Sequence, residues 1–163
     1  MLWHWFRTAP MLSDTRRLEL YPLFFFMRVK VLELTDNWGI LRLRLPLNII
    51  NRNIGAGMFG GSQAALADPI AALACVKRFP GYAVWTRSLV LDFRREGLSD
   101  LELRFHFSAQ QETEIRDELA TSQRSTPVFE YGFYSPDGAL CTRVRCSVAI
   151  RPRGYKLRSD GIG

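Results

Sequence analysis

The chain has 163 residues, enough for one domain with its own core and short for two. Hydrophobic residues make up 47% and charged residues 23%, close to the averages of soluble globular proteins, so disordered, collagen-like and low-complexity classes are excluded. The net charge is +6, and only Lys30, Lys77 and Lys156 among the 22 basic residues are lysine.

Trp3, His4, Trp5 and Phe6 show no period and read as an extension packed on the surface or on a partner. Ser13 or Asp14 can cap a helix running to about Pro22 or a little beyond, since both are good N-cap residues. Met27–Asp36 and Trp38–Leu45 then read as two strands joined by a tight turn at Asp36-Asn37-Trp38-Gly39. Within the second, Leu41, Leu43 and Leu45 alternate with Arg42 and Arg44, giving one buried and one wet face. A glycine-rich stretch from Asn51 to Gly61 leads into Ser62–Phe79, which is apolar on nearly every side. A helix of that kind must be wrapped by something larger than itself. Tyr82–Arg95 follows as a long strand, with Trp85, Leu89, Leu91 and Phe93 expected on one face. Leu101, Leu103, Phe105 and Phe107 alternate with Glu102, Arg104 and His106, and Gln110–Ser122 can hold a short helix. Val128–Tyr134 and Leu140–Pro152 form a hairpin about Ser135-Pro136-Asp137-Gly138.

This order predicts an α+β fold in which a curved antiparallel β-sheet wraps a central α-helix, the hotdog arrangement, because only a curved sheet covers so much helix surface. We expect a single hotdog domain over residues 1–163: an N-terminal extension and helix (1–26), the hotdog core (27–152) and a C-terminal tail (153–163).

The longest apolar runs, Tyr21–Met27 and Ile70–Val76, fall far short of the roughly 20 residues a membrane helix needs. Arg16, Arg17 and Glu19 interrupt any secretory hydrophobic run. Cys75, Cys141 and Cys146 are odd in number, lack metal-ligand spacing and read as small core residues. A reducing cytoplasm is the expected compartment, with no metal. The arginines are scattered and no nucleic-acid module is present, so they read as a solvated face with a local patch for an anionic ligand. We expect no nucleic-acid and no membrane partner.

The segment Asn53-x5-Phe59-Gly60-Gly61-x6-Asp68, with Leu66-Ala67-Asp68 on the helix, resembles the signature of the PaaI-type hotdog thioesterases. That family carries Asn, then His-Gly-Gly, then Leu-Ala-Asp at the same spacings. A further 18 residues on, Thr86 falls where the family often has Ser or Thr. Phe59 stands where the family has histidine, as in a less characterised bacterial branch. The likeness spans about residues 20 to 152.

The resemblance implies hydrolysis of acyl thioesters of coenzyme A or an acyl-carrier protein, with no cofactor beyond the coenzyme A of the substrate. Gly60 and Gly61 would offer unpaired N–H groups and the positive helix end to a developing oxyanion; the other reading is a tight loop-to-helix turn. Asp68 would be the general base or the nucleophile; alternatively it caps a helix restarted at Pro69. Asn53 would place water or thioester, or it is a turn residue. Thr86 would bond the water or Asp68, or it is an ordinary strand residue. Met58, Phe59, Leu66 and Trp85 would wall an apolar acyl pocket, and Arg94 and Arg95 would bind coenzyme A phosphates or form a solvated turn. Phe59 cannot give the hydrogen bond of the family's histidine, which keeps a non-catalytic acyl-coenzyme A-binding protein as the alternative. A homodimer or dimer of dimers is expected, with each site built from two chains. Gly61 and Asp68 lie two helical turns apart, about 10 Å along one helix.

Overall fold

The computed structural model describes residues 12–154. The Trp3–Phe6 extension and residues 155–163 of the expected tail lie outside the described residues. Ser13 caps α1 (Asp14–Glu19), its Oγ accepting from the Arg16 N–H at 3.3 Å. The one helix expected from here to about Pro22 is instead two. Pro22 is the first residue of α2 (Pro22–Met27), where its missing N–H costs nothing, and it disfavours helix in the residue before it. Arg28 ends α2 in the left-handed region at φ 58°. The first strand therefore starts later than expected: β1 is Lys30–Leu34.

β2 (Ile40–Leu45) follows the predicted turn. Trp38 belongs to that turn rather than to the strand; it is buried, with φ 57°, and its Nε1 donates to Asp14 Oδ2 at 2.9 Å. The remaining elements are α3 (Gly60–Arg78), β3 (Tyr82–Phe93), β4 (Leu101–His106), α4 (Ala109–Ser122), β5 (Val128–Tyr134) and β6 (Leu140–Pro152). The six strands form one antiparallel sheet in the order β1-β2-β4-β5-β6-β3. With α3 against β3, β4 and β6, this is the hotdog arrangement.

Register aligns the apolar faces. Leu41, Leu43 and Leu45 stand opposite Phe105, Leu103 and Leu101, all buried. Phe129, Tyr131, Phe133, Val144, Cys146, Val148 and Ile150 continue that inner face, and a one-residue slip of any strand would turn its apolar set to the outside. On the outer face, Arg42 bridges Glu33 and Glu102, Arg104 also meets Glu102, and Arg143 meets Glu130. Arg42 and Arg143 are thus cross-strand partners of carboxylates, and Arg104 pairs within its own strand. The three cysteines are buried and free.

Two expectations change in ways that shape the site. A bulge inserts Arg87 between Thr86 and Ser88, so β3 pairs Thr86 with Val148 and Ser88 with Ser147. The extra residue reverses the alternation: Val84 and Thr86 share the inner face with Leu89 and Leu91, while Trp85 turns away from them. In addition, α3 is not enclosed all round. Leu66, Ala67, Ile70, Ala71, Leu73, Ala74 and Cys75 are buried, whereas Gly61 and Asp68 are exposed on one stripe.

Candidate active site at the first half of α3

The head of α3 is set by the loop before it. Asn51 is fully buried; its Nδ2 donates to Met27 O at 2.8 Å and to Pro46 O at 2.9 Å, and its own carbonyl accepts from Phe59 N–H at 2.6 Å. One residue thereby fastens the end of α2 and the end of β2 through its side chain and the cap of α3 through its main chain. Asn53 closes the next turn, with Oδ1 accepting from Gly57 N–H at 3.0 Å and its N–H donating to Gly57 O at 2.8 Å. The turn role expected as an alternative is therefore filled, and Nδ2 is the part of the amide left for a ligand.

Phe59 is the N-cap residue of α3 and its carbonyl accepts from Ser62 and Gln63 N–H. The Gly60 and Gly61 N–H groups meet no acceptor among the described residues. Both glycines also lie under exposed rings. A Cβ on Gly60 would come within 2.9 Å of Phe93 Cζ, and one on Gly61 would run into the Phe59 ring. Phe59 is 51% exposed and lies over Gly61.

Asn53, Met58, Gly60, Gln63, Phe93, Arg94, Arg95 and Glu96 line one cleft of about 430 Å³. Arg94 is engaged with Asp92 at 2.6 Å, whereas the Arg95 guanidinium makes no hydrogen bond or ion pair among the described residues. Asp68 and Thr86 lie elsewhere, in a second cleft of about 310 Å³ with Pro69, Ala72, Leu73, Val84 and Trp85. Phe59, Gly61 and Leu66 line neither cleft. Within one chain, then, Asn53, Gly60, Arg94 and Arg95 come together, Asp68, Thr86 and Trp85 come together, and the two groups are apart.

Asp68 does not cap a restarted helix. α3 runs unbroken through Pro69, and the Asp68 carboxylate makes no hydrogen bond or ion pair with any described residue. Proline removes one helical donor and crowds the preceding turn. There, Tyr131 Oη donates to Ala67 O and Thr86 Oγ1 donates to Asp68 O, each at 2.8 Å. Thr86 thus bonds Asp68 through the main chain rather than the carboxylate. Burial pushes the Tyr131 phenol well above its ordinary pKa, with the nearby Cys146 and Asp68 adding to the rise, so the hydroxyl stays a donor. Burial likewise raises the Cys146 thiol, which makes it a poor nucleophile. His106 is exposed on β4. Among the described residues no three His, Cys, Asp or Glu side chains gather as metal ligands, and no helix is long and apolar enough to cross a membrane.

Sequence reasoning missed Asn51, Gln63, Tyr131 and Thr142. For Gln63 a signal existed, an uncharged amide within an apolar helix; its Oε1 accepts from the buried Thr142 Oγ1 at 2.6 Å. Tyr131 offers none, because between Phe129 and Phe133 it reads as one more core ring.

No protein-family model matches the chain, and no curated protein matches it in sequence. Solved structures do match. A protein of unknown function from Pseudomonas aeruginosa has a TM-score of 0.76 at 17% identity, over 85% of this chain and 93% of that one. A thioesterase from Haemophilus influenzae gives 0.67 at 12% identity, over 90% and 96%. A thioesterase variant from Staphylococcus aureus gives 0.60 at 15% identity, over 80% and 98%. At such identities the likeness is one of fold.

Proposed function

We propose that this chain hydrolyses acyl thioesters, with the acyl group carried on coenzyme A or an acyl-carrier protein, at a site shared between two copies. The reading places it nearest the PaaI-type hotdog thioesterases, with Phe59 in the histidine position. The observation that carries it is Asp68: a carboxylate with no described partner, in a cleft whose other lining is mostly apolar, on a helix otherwise committed to the core. In a single chain that carboxylate is solvated; once a second chain covers the stripe it becomes an unpaired charge in an apolar setting, which is unfavourable unless its reactivity is used.

The Gly60 and Gly61 amides bind the thioester oxygen and favour the charge that develops on it. Asp68 activates water or attacks the carbonyl carbon, and Thr86 fixes the main chain beneath it. Asn53 Nδ2 orients the reacting group, Arg95 and Arg94 meet phosphate, and Met58, Phe59 and Trp85 contact the acyl chain. Two structures of a Staphylococcus aureus protein bear Gln→Ala and Glu→Ala changes fifteen positions apart, the separation of Asn53 and Asp68 here.

Because Gly60 and Asp68 occupy separate clefts, one chain does not complete the site. The exposed stripe with Gly61 and Asp68, bordered by Ala64, Ala65 and Ala72, lets a second α3 approach antiparallel across a two-fold axis. β3 also has no strand on its outer side among the described residues. That pairing puts the partner's Asp68 beside the first chain's glycine amides. A cytoplasmic homodimer, or a pair of such dimers, is the working unit.

Phe59 favours one alternative. Its ring can wall a pocket but donates no hydrogen bond, which suits a protein that binds acyl-coenzyme A without efficient turnover. Short- to long-chain acyl-coenzyme A substrates with a free-thiol readout decide. Thiol release with an apolar acyl preference is the expected result. Tight binding without release establishes the alternative, and neither binding nor release rejects both.

A further inference from the structure

Gln63 stands on the first turn of α3 and is 3% exposed. The hydroxyl of Thr142, fully buried on β6, donates to its Oε1 at 2.6 Å. No other described acceptor takes that hydroxyl hydrogen. Turning the amide over would strand it in a dry core, which costs more than a buried hydrogen bond returns. Thr142 therefore sets the amide with oxygen inward. Nε2 donates to no described group, yet it is not among the buried side-chain atoms left without a partner, which are Asn51 Oδ1, Arg78 Nε and Ser125 Oγ. It opens onto the cleft that Gln63 lines with Asn53, Gly60 and Arg95.

We infer that Gln63, oriented by Thr142, is a carbonyl-binding residue of this cleft, its Nε2 donating to a carbonyl oxygen of the bound acyl thioester beside the unpaired amides of α3. The inference rests on the thioester reading. An anchored donor selects its ligand by chemistry: an alkyl group cannot satisfy it, and it loses little side-chain freedom when an acceptor arrives. This discriminates a thioester from its alkyl counterpart.

Two non-hydrolysable ligands of equal chain length separate the carbonyl from the rest: a ketone thioether of coenzyme A and an alkyl thioether of coenzyme A. The wild type should bind the ketone at least about five- to tenfold more tightly, the scale of one hydrogen bond, since the α3 amides add to what Gln63 gives. Replacing Gln63 alone by Met would leave the Thr142 hydroxyl stranded, so the informative variant is Gln63→Met with Thr142→Val, in which both partners become apolar at similar volume. It should melt near the wild-type temperature, lose about five- to tenfold of the ketone preference, keeping only what the α3 amides supply, and bind the alkyl ligand unchanged. Gln63→Glu, which keeps the Thr142 bond but turns an oxygen toward the cleft, should weaken the ketone further.

Equal loss for both ligands, the mark of a packing role, overturns the inference, and so does no loss for either. Should the wild type hydrolyse thioesters without any carbonyl preference, Gln63 falls and the enzyme stands. Should it prefer the ketone, with that preference reduced in the double variant, yet hydrolyse nothing, the hydrolase reading falls and Gln63 stands. Binding of neither ligand overturns both.

Discussion

The two ends of α3 are finished in opposite ways. At the C-terminal end almost every polar group has a partner. Lys77 meets Asp14 at 2.7 Å, and Trp38 Nε1 donates to the same carboxylate. Arg78, only 8% exposed, pairs with Glu112 and lies 4.4 Å over the Phe107 ring, while Arg116 also holds Glu112 and stacks on Phe79. Cations there complement the negative helix end. At the N-terminal end the amides of Gly60 and Gly61 point at no acceptor, and Phe59 stands half exposed. A closed end contributes stability; an open end keeps donors available for a ligand at some cost in stability.

Changes at the open half should therefore reduce turnover without unfolding the protein, and changes at the closed end should do the reverse. The largest effect is expected at Asp68. Asp68→Asn is nearly isosteric and breaks no described bond, so turnover should fall by at least about a hundredfold, the scale of a lost general base, with the melting temperature held. An unchanged rate would reduce Asp68 to a solvated side chain. At the closed end, Arg78→Met keeps the packing on Phe107 but removes the charge. Glu112 retains Arg116, so the loss should be about 1–2 kcal/mol, a fall of a few degrees in thermal melting. Below the melt, kcat/KM should match the wild type.

A smaller effect concerns acid. Burial pulls the Asp14 carboxyl upward, but hydrogen bonds from Lys77 and Trp38 and the charges of Lys77 and Arg17 outweigh it, leaving its pKa below the ordinary value of 3.8. A carboxyl depressed in the folded state stabilises above its unfolded pKa, and that contribution is lost as pH falls through the folded value. The stability gap between the wild type and Asp14→Asn should be constant above about pH 5 and narrow below about pH 4. A gap independent of pH would show that the Asp14 charge contributes nothing.

The same contrast explains what could be read in the sequence. The strands on either side of the Ser135–Gly138 turn, the alternation in β2 and β4, and the apolar α3 were legible because period and turn chemistry speak locally. The spacing from Asn53 to Asp68 is a local pattern too, and the proposed function builds on it. The bulge at Arg87 was not, since no glycine marks it, and one extra residue decides whether Thr86 or Trp85 faces the helix. Pro22 was misjudged as a helix end when it begins a second helix. The separation of the site into two clefts, and the roles of Asn51 and Thr142, depend on contacts between distant segments, which no local pattern records.

The central claim is that two chains share each site, and subunit mixing tests it most directly. Gly61→Val adds a branched side chain beside the proposed oxyanion donors and displaces Phe59, so alone it should be nearly inactive, as should Asp68→Asn. After reversible dissociation and equal mixing, about half the dimers carry one chain of each kind, and each such dimer holds one site with both defects and one with neither. About a quarter of wild-type hydrolysis should return. Complete subunit exchange with activity no higher than either parent would contradict the account.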